Sequence, residues 1–181
     1  MTVRSKAARI KLLLFDVDGV LTDGRVVVHA DGSEGKAFAI RDGIAMIWAQ
    51  RAGVRVGFLS ARASQTTLHR AAQLGVTIVH QGVSDKLATY DQILAAEHLT
   101  DMDSAYMGDD IVDLAVLARV GLSAAPADAV KEVRARVDWT SRAKAGRGAA
   151  RELIELVLRA RDQWKDIVSA YAGPFPAAGD R

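Results

Sequence analysis

The feature that most restricts how this chain can fold is a repeated exchange of hydrophobic period. Short apolar or β-branched runs stand at Lys11–Val17, Val54–Leu59, Thr77–His80, Ala105–Met107 and Leu122–Ala124. Between them lie stretches of helical spacing at Gly43–Arg51, Ser64–Leu74, Asp85–Glu97 and Ile111–Arg119. Gly53, Gly75 and Gly121 stand where helices should give way to strands, the place for a C-terminal glycine. This alternation predicts an α/β fold, a doubly wound, Rossmann-like parallel sheet with helices on both faces. A chain of 181 residues suits one such domain with a single core. We expect it to occupy residues 1–172, followed by a mobile C-terminal tail at 173–181 in the Pro/Gly/Ala-rich "AGPFPAAGDR".

Two segments depart from the alternation. Arg25–Ala39 reads as a β-hairpin, "RVVVH", a turn over "ADGSEG", then "KAFA". It should project as a flap beside the same sheet edge as the acidic stretch before it. The last helix is expected to run unbroken from about Gly148 to Tyr171, with Leu153, Val157, Ala160, Trp164, Val168 and Tyr171 on one packing stripe. Composition removes several functions. A formal net charge of +2, with no basic stripe interleaved with aromatics, gives no indication of nucleic-acid binding. Without cysteine there is no disulfide, zinc thiolate or Cys nucleophile. His29, His69, His80 and His98 have no ligand spacing. No segment approaches a membrane span and "MTVRSKAARI" lacks the apolar core of a signal peptide, so a cytoplasmic location is expected.

The chemistry begins in "LLLFDVDGVLTDG", Leu12–Gly24. Asp16 and Asp18 follow a buried strand and are two apart, so on extended backbone they point the same way. Like charges held side by side repel unless one is protonated or a cation lies between them. In a doubly wound sheet, sites form beyond the carboxyl ends of the strands. Ser60 ends the second strand in "GFLSAR", Lys86 follows the third in "HQGVSDK", and Asp109, Asp110 and Asp113 follow the fourth in "AYMGDDIVD". Each admits an ordinary role alone: a helix cap for Asp109 or Asp110, a turn for Ser60, a solvated surface for Lys86. Their convergence on one edge is the argument for a site. Asp16 and Asp109 offer hard oxygen ligands suited to Mg²⁺. Asp16 can attack phosphorus, and Asp18 is placed to protonate the leaving alcohol and then deprotonate water. Lys86 and Ser60 would hold the phosphoryl oxygens, and Gly19 would let the chain turn away after the acids.

In order and spacing, "DVDGVLTDG", "LSAR", Lys86 and "GDDIVD" resemble the four motifs of the haloacid dehalogenase (HAD) superfamily of phosphatases, from about Leu12 to Val120. Within it, "KAFAIRDG" (Lys36–Gly43), Arg62 and "AGRGAAREL" (Ala145–Leu153) are similar to the 3-deoxy-D-manno-octulosonate 8-phosphate (KDO 8-phosphate) phosphatase family. The resemblance implies an Mg²⁺-dependent hydrolase of lipopolysaccharide biosynthesis working through an aspartyl-phosphate. It implies Asp16 as nucleophile and metal ligand, and Asp18 as acid/base whose backbone carbonyl also binds the metal. Asp109 becomes the second carboxylate ligand and Asp113 an outer-sphere residue. Ala39, Ile40, Arg41, Asp42, Gly43, Arg62, Arg70 and Lys86, together with Asp18, become the substrate-binding set. Only the hairpin and one helix fit between the first two motifs, so the resemblance is to capless members. These are homotetramers, in which a neighbour's hairpin helps close the active site.

The chain departs from the family at Ala61, where glycine is usual, at Ala39 for asparagine and at Ile47 for a basic residue, and the tail lacks the frequent ending. Three other readings compete. A nine-carbon sugar-acid 9-phosphate phosphatase is close, but those enzymes tend to carry an acid where Arg62 stands. A receiver-type phospho-accepting signalling domain also clusters acids, a hydroxyl and a lysine, yet it should keep its phosphate, whereas Asp18 is placed to promote turnover. An idle assembly domain would not need all four motifs.

Overall fold

A computed structural model describes residues 1–172; the expected mobile tail at 173–181 lies outside the described residues. After a short helix α1 (Val3–Ala7), strand β1 (Leu12–Phe15) runs through the middle of a six-stranded sheet. A two-stranded hairpin follows, β2 (Val27–Val28) and β3 (Glu34–Gly35), then α2 (Ile40–Arg51), β4 (Arg55–Leu59), α3 (Gln65–Leu74) and β5 (Ile78–His80). The chain then crosses through α4 (Lys86–Glu97) to β6 (Ser104–Met107), α5 (Leu114–Leu117), β7 (Leu122–Ala125), α6 (Lys131–Arg134), β8 (Trp139–Thr140), α7 (Ala149–Ala160) and α8 (Trp164–Ala172). The sheet order is β5-β4-β1-β6-β7-β8 and every pairing in it is parallel. The doubly wound expectation is met, and strand order reverses between β1 and β6.

β1 shows why the apolar run needs no alternation. Leu13 and Phe15 enter a core shared with α1, α2, α3 and α7, whereas Leu12 and Leu14 enter the opposite core with α4, α5 and α6. A strand covered on both faces is apolar at every position. All four side chains are fully buried, and each contributes about 1.5–3 kcal/mol by leaving water. The strand is thus a rigid post that delivers Asp16 to the crevice.

Some expected boundaries move. The single C-terminal helix is broken: Asp162 adopts a left-handed φ of 58°, and Gln163 N donates to Leu158 O at 2.9 Å to close α7. Aspartate tolerates that conformation better than most residues, and the Gln163 side chain then donates to Ala52 O at 3.0 Å. Trp164 still packs on the core beyond the break, but Val168 and Tyr171 are exposed, so the expected stripe does not continue to Tyr171. The expected helix at Ile111–Arg119 becomes a 3-10 turn over Ile111–Asp113 followed by α5, because Asp110 caps the turn and Asp113 returns its carboxylate to the cap. The hairpin forms, but its second strand is Glu34–Gly35 rather than "KAFA". Asp31 pulls the turn tight by accepting from Ser33 N at 2.9 Å and the Ser33 hydroxyl at 2.7 Å, which ends the loop early.

Candidate active site

The carboxyl ends of β1, β4 and β6, with the start of α4, surround a cleft of about 300 Å³ lined by Asp16, Asp18, Gly19, Ser60, Arg62, Lys86, Asp109 and Asp110, among others. Asp16 is almost fully buried. Its Oδ1 accepts from Val17 N at 2.7 Å and its Oδ2 lies 2.8 Å from Lys86 Nζ. Lys86 starts α4, where Asp85 caps the helix by accepting from Ala88 N at 2.9 Å. The buried ammonium also contacts Asp113 Oδ1 at 2.6 Å and the Tyr106 hydroxyl at 3.2 Å. Burial alone would lower its pKa, but the Asp16 and Asp113 carboxylates outweigh that and raise it, so Lys86 stays charged.

Asp16, Asp109 and Asp113 bring one carboxylate oxygen each within 4.8 Å of the others. The crowding has a cost in protonation. Burial, with Asp113 adding repulsion, pushes Asp16 up to about 6. Burial, followed by repulsion from Asp16, pushes Asp109 up to about 8. Asp113 is different, because all its acceptor capacity is used. Oδ1 takes Lys86 and the Tyr106 hydroxyl (2.6 Å), and Oδ2 takes Asp109 N (2.9 Å) and Asp110 N (3.2 Å). It anchors the lysine and the loop that carries Asp109. Gly19 has a φ of 85°, and a Cβ there would run into the Asp109 carboxylate. The turn after β1 therefore needs glycine for both backbone and space.

Asp18 faces the same cleft. Its Oδ2 pairs with Lys36 Nζ at 2.8 Å and lies 3.8 Å from Arg62 Nε, while its buried Oδ1 has no hydrogen-bond partner among the described residues. Ser60 is buried at the end of β4, its hydroxyl turned onto the Arg62 backbone at 3.1 Å. The remaining residues of the expected set lie apart. Ala39 is the N-cap of α2, Ile40 and Arg41 are exposed in its first turn, and Gly43 is packed under the Arg70 guanidinium. Asp42 is buried and accepts from Gly148 N at 3.3 Å and Arg151 N at 2.9 Å, capping α7 rather than facing the cleft. Burial raises its pKa despite those bonds. Arg70 reaches Gln73 at 3.3 Å, and its Nε is buried without a partner among the described residues.

No family model matches the chain. It is 40% identical over 161 residues, 89% of this chain and 86% of the relative, to the 3-deoxy-D-manno-octulosonate 8-phosphate phosphatase KdsC of Yersinia pestis. It is also 40% identical over 159 residues to KdsC of Escherichia coli K12, covering 88% of this chain and 85% of that one. The chain belongs to the KDO 8-phosphate phosphatase family. Among solved structures, a family member from Moraxella catarrhalis in complex with a magnesium ion, a phosphate ion and KDO superposes with a TM-score of 0.92 at 30% identity, covering 93% of this chain and 97% of that one. A probable YrbI family phosphatase from Pseudomonas syringae gives 0.93 at 40% identity, covering 96% and 98%. A putative HAD superfamily (subfamily III A) hydrolase from Legionella pneumophila gives 0.90 at 36% identity over 94% and 93%.

Within this family frame the residues fit magnesium. The donor set is all oxygen, as a hard divalent cation prefers, and the raised carboxyls of Asp16 and Asp109 mark a place where added positive charge relieves repulsion. Sequence reasoning missed two residues of the site. Tyr106 lies on a strand reading as plain core, and only its buried hydroxyl, bonded to Asp113, distinguishes it. Lys36 enters the sequence reading only as part of the motif "KAFAIRDG", yet its side chain is fully buried against Asp18. A lysine immediately after a hairpin aimed at an acidic strand end was the available signal.

Proposed function

We propose that this protein hydrolyses KDO 8-phosphate to KDO and phosphate, with Mg²⁺ as cofactor. The observation that carries the reading is the meeting of Asp16, Asp18, Ser60, Lys86 and Asp109 in one cleft where strand order reverses. Asp16, Asp109 and the backbone carbonyl of Asp18 would hold the cation, which when bound neutralises the acids and polarises a phosphoryl oxygen. An Asp16 carboxylate oxygen attacks phosphorus, and the bond from phosphorus to the sugar's 8-oxygen breaks. Asp18, which lines the same cleft, gives that oxygen its proton. Asp18 then takes a proton from water, which attacks the aspartyl-phosphate, freeing phosphate and restoring Asp16. Lys86 stays charged and balances the phosphoryl oxygens, and Ser60 would rotate off the Arg62 backbone to donate to them.

The sugar's carboxylate is assigned to Arg62, whose planar fork matches it. Arg62 also supports the eight-carbon over the nine-carbon acid. Ala39, Ile40 and Arg41 at the start of α2, with Arg70, complete the proposed substrate side, where the family resemblance is the support; Asp42 and Gly43 serve the packing of α2 instead. Val27, Val28 and Ile40 are exposed apolar residues on the hairpin and the start of α2. They suit a subunit contact, consistent with a homotetramer acting in the cytoplasm in lipopolysaccharide synthesis. The test is phosphate release with Mg²⁺ from a panel of sugar phosphates, including the eight- and nine-carbon acids, beside Asp16→Asn. Preferred turnover of KDO 8-phosphate, lost in the variant, is expected. Preference for the nine-carbon acid would replace the substrate, and a stable phosphoprotein without release would replace the phosphatase with a receiver.

A further inference from the structure

The guanidinium assigned to the substrate's carboxylate is already holding one. Arg62 Nη2 donates to both oxygens of Glu34 on β3, at 3.0 and 3.1 Å. Its Nε lies on the other side, 3.8 Å from Asp18. The hairpin is fastened independently of the Glu34 side chain: the Thr66 hydroxyl donates to Glu34 O at 3.2 Å, and Lys36 pairs with Asp18 at 2.8 Å. Glu34 can therefore swing off Arg62 while β3 stays in place. The pair is solvent-accessible, with Arg62 53% and Glu34 34% exposed, so it is weak enough to exchange.

We propose that Glu34 is a specificity-determining residue, an internal carboxylate that occupies Arg62 until the carboxylate of an acidic sugar phosphate replaces it. The claim rests on the phosphatase reading above and adds the cost of entry. A substrate with a carboxylate recovers the lost ion pair by making its own with Arg62. A phosphate ester that lacks a carboxylate leaves the Glu34–Arg62 pair intact. A substrate carboxylate that arrived with Glu34 still in place would meet a like charge. Apparent affinity for the acidic ligand is then reduced by the fraction of molecules in which Arg62 is occupied.

The experiment compares full-length Glu34→Gln with wild type on KDO 8-phosphate and on p-nitrophenyl phosphate, with KDO as inhibitor of the second reaction. Expected is a KM for KDO 8-phosphate, and a Ki for KDO, lower by about two- to fivefold, the span of an exposed ion pair. KM for p-nitrophenyl phosphate should hardly move. In an Arg62→Gln background the Glu34 change should have no further effect, because the coupled partner is gone. Equal shifts for both substrates, a higher KM for the acidic one, or the same effect without Arg62 would overturn the proposal. Failure of wild type to turn over KDO 8-phosphate would overturn the substrate reading instead. The inhibition arm, extended to other sugar acids, then decides the Glu34 claim alone, and an unchanged Ki for all of them refutes it.

Discussion

β1 and β6 lie side by side and carry opposite electrostatics at their two ends. Where they begin, Lys11 meets Asp103 at 2.9 Å, and hydrogen bonds from the Thr100 hydroxyl and then Lys11 hold Asp103 down at about 2. Beside them Arg119 takes both oxygens of Asp101, at 3.0 and 3.2 Å, and the Tyr90 hydroxyl joins Asp101 to Ser104. Every acid there has a partner within the chain. Where the strands end, Asp16 and Asp109 are pushed up to about 6 and about 8, with Lys86 as the buried counter-charge. The same two strands, each four residues long, pass from satisfied acids at one end to frustrated ones at the other. Stability is built at one end, and the other keeps a deficit of positive charge that a cation and phosphate chemistry use.

Breaking the reactive end should have the largest effect. Asp16→Asn should lower phosphate release by about 10³-fold or more, since no other carboxylate is placed to accept the phosphoryl group. Thermal unfolding should show no loss of metal-free stability at pH 8, because a repelled charge has been removed. Lys86→Met should cut turnover by about 10²–10³-fold and cost about 3–5 kcal/mol in chemical denaturation, because it strands Asp16 and Asp113 in a buried site. A third measurement sharpens the contrast through pH. The folded values of Asp16 and Asp109 lie above the ordinary 3.8, so their stabilising contribution is present below that value and lost as pH rises through about 6 and about 8. Metal-free Tm should therefore fall across that window, and added Mg²⁺ should raise Tm more at pH 8 than at pH 5. An equal rise at both pH values would count against the carboxylate cage. The smallest effect belongs to the satisfied end: Lys11→Ala should cost no more than about 1 kcal/mol, because that lysine is mostly exposed, and phosphate release should be unchanged.

What could be read from sequence follows this division. The core strands were legible because Leu12–Phe15 is apolar on both faces, and the reactive residues because each sits immediately after such a run. Local exceptions were not. At the break at Asp162 the Gln163 side chain meets Ala52 O, a contact more than a hundred positions away, and the helical spacing continues across it. β8, only Trp139–Thr140, is a strand because β7 lies beside it, not because of any run of its own. Asp42 reads as a polar residue in a motif, and its role as a cap for α7 is visible only once Gly148 and Arg151 are beside it. The pairs Lys36–Asp18 and Glu34–Arg62 needed the hairpin's register, which turned on the tight turn at Asp31.

The Asp42 cap has a consequence for the order in which the protein can be assembled. Its two backbone partners are 106 and 109 positions downstream. A chain emerging from the ribosome has produced Asp16, Ser60, Lys86 and Asp109 well before Arg151 exists, and can pair β1 with β4 and β6 in the meantime. The start of α2 cannot settle until the C-terminal helix arrives, because until then a carboxylate meant for the interior has no donor. The phosphate-handling groups are thus an early product of synthesis and the settled start of α2 a late one, so a ribosome-stalled chain ending before α7 would carry the reactive acids without a capped junction between α2 and α7.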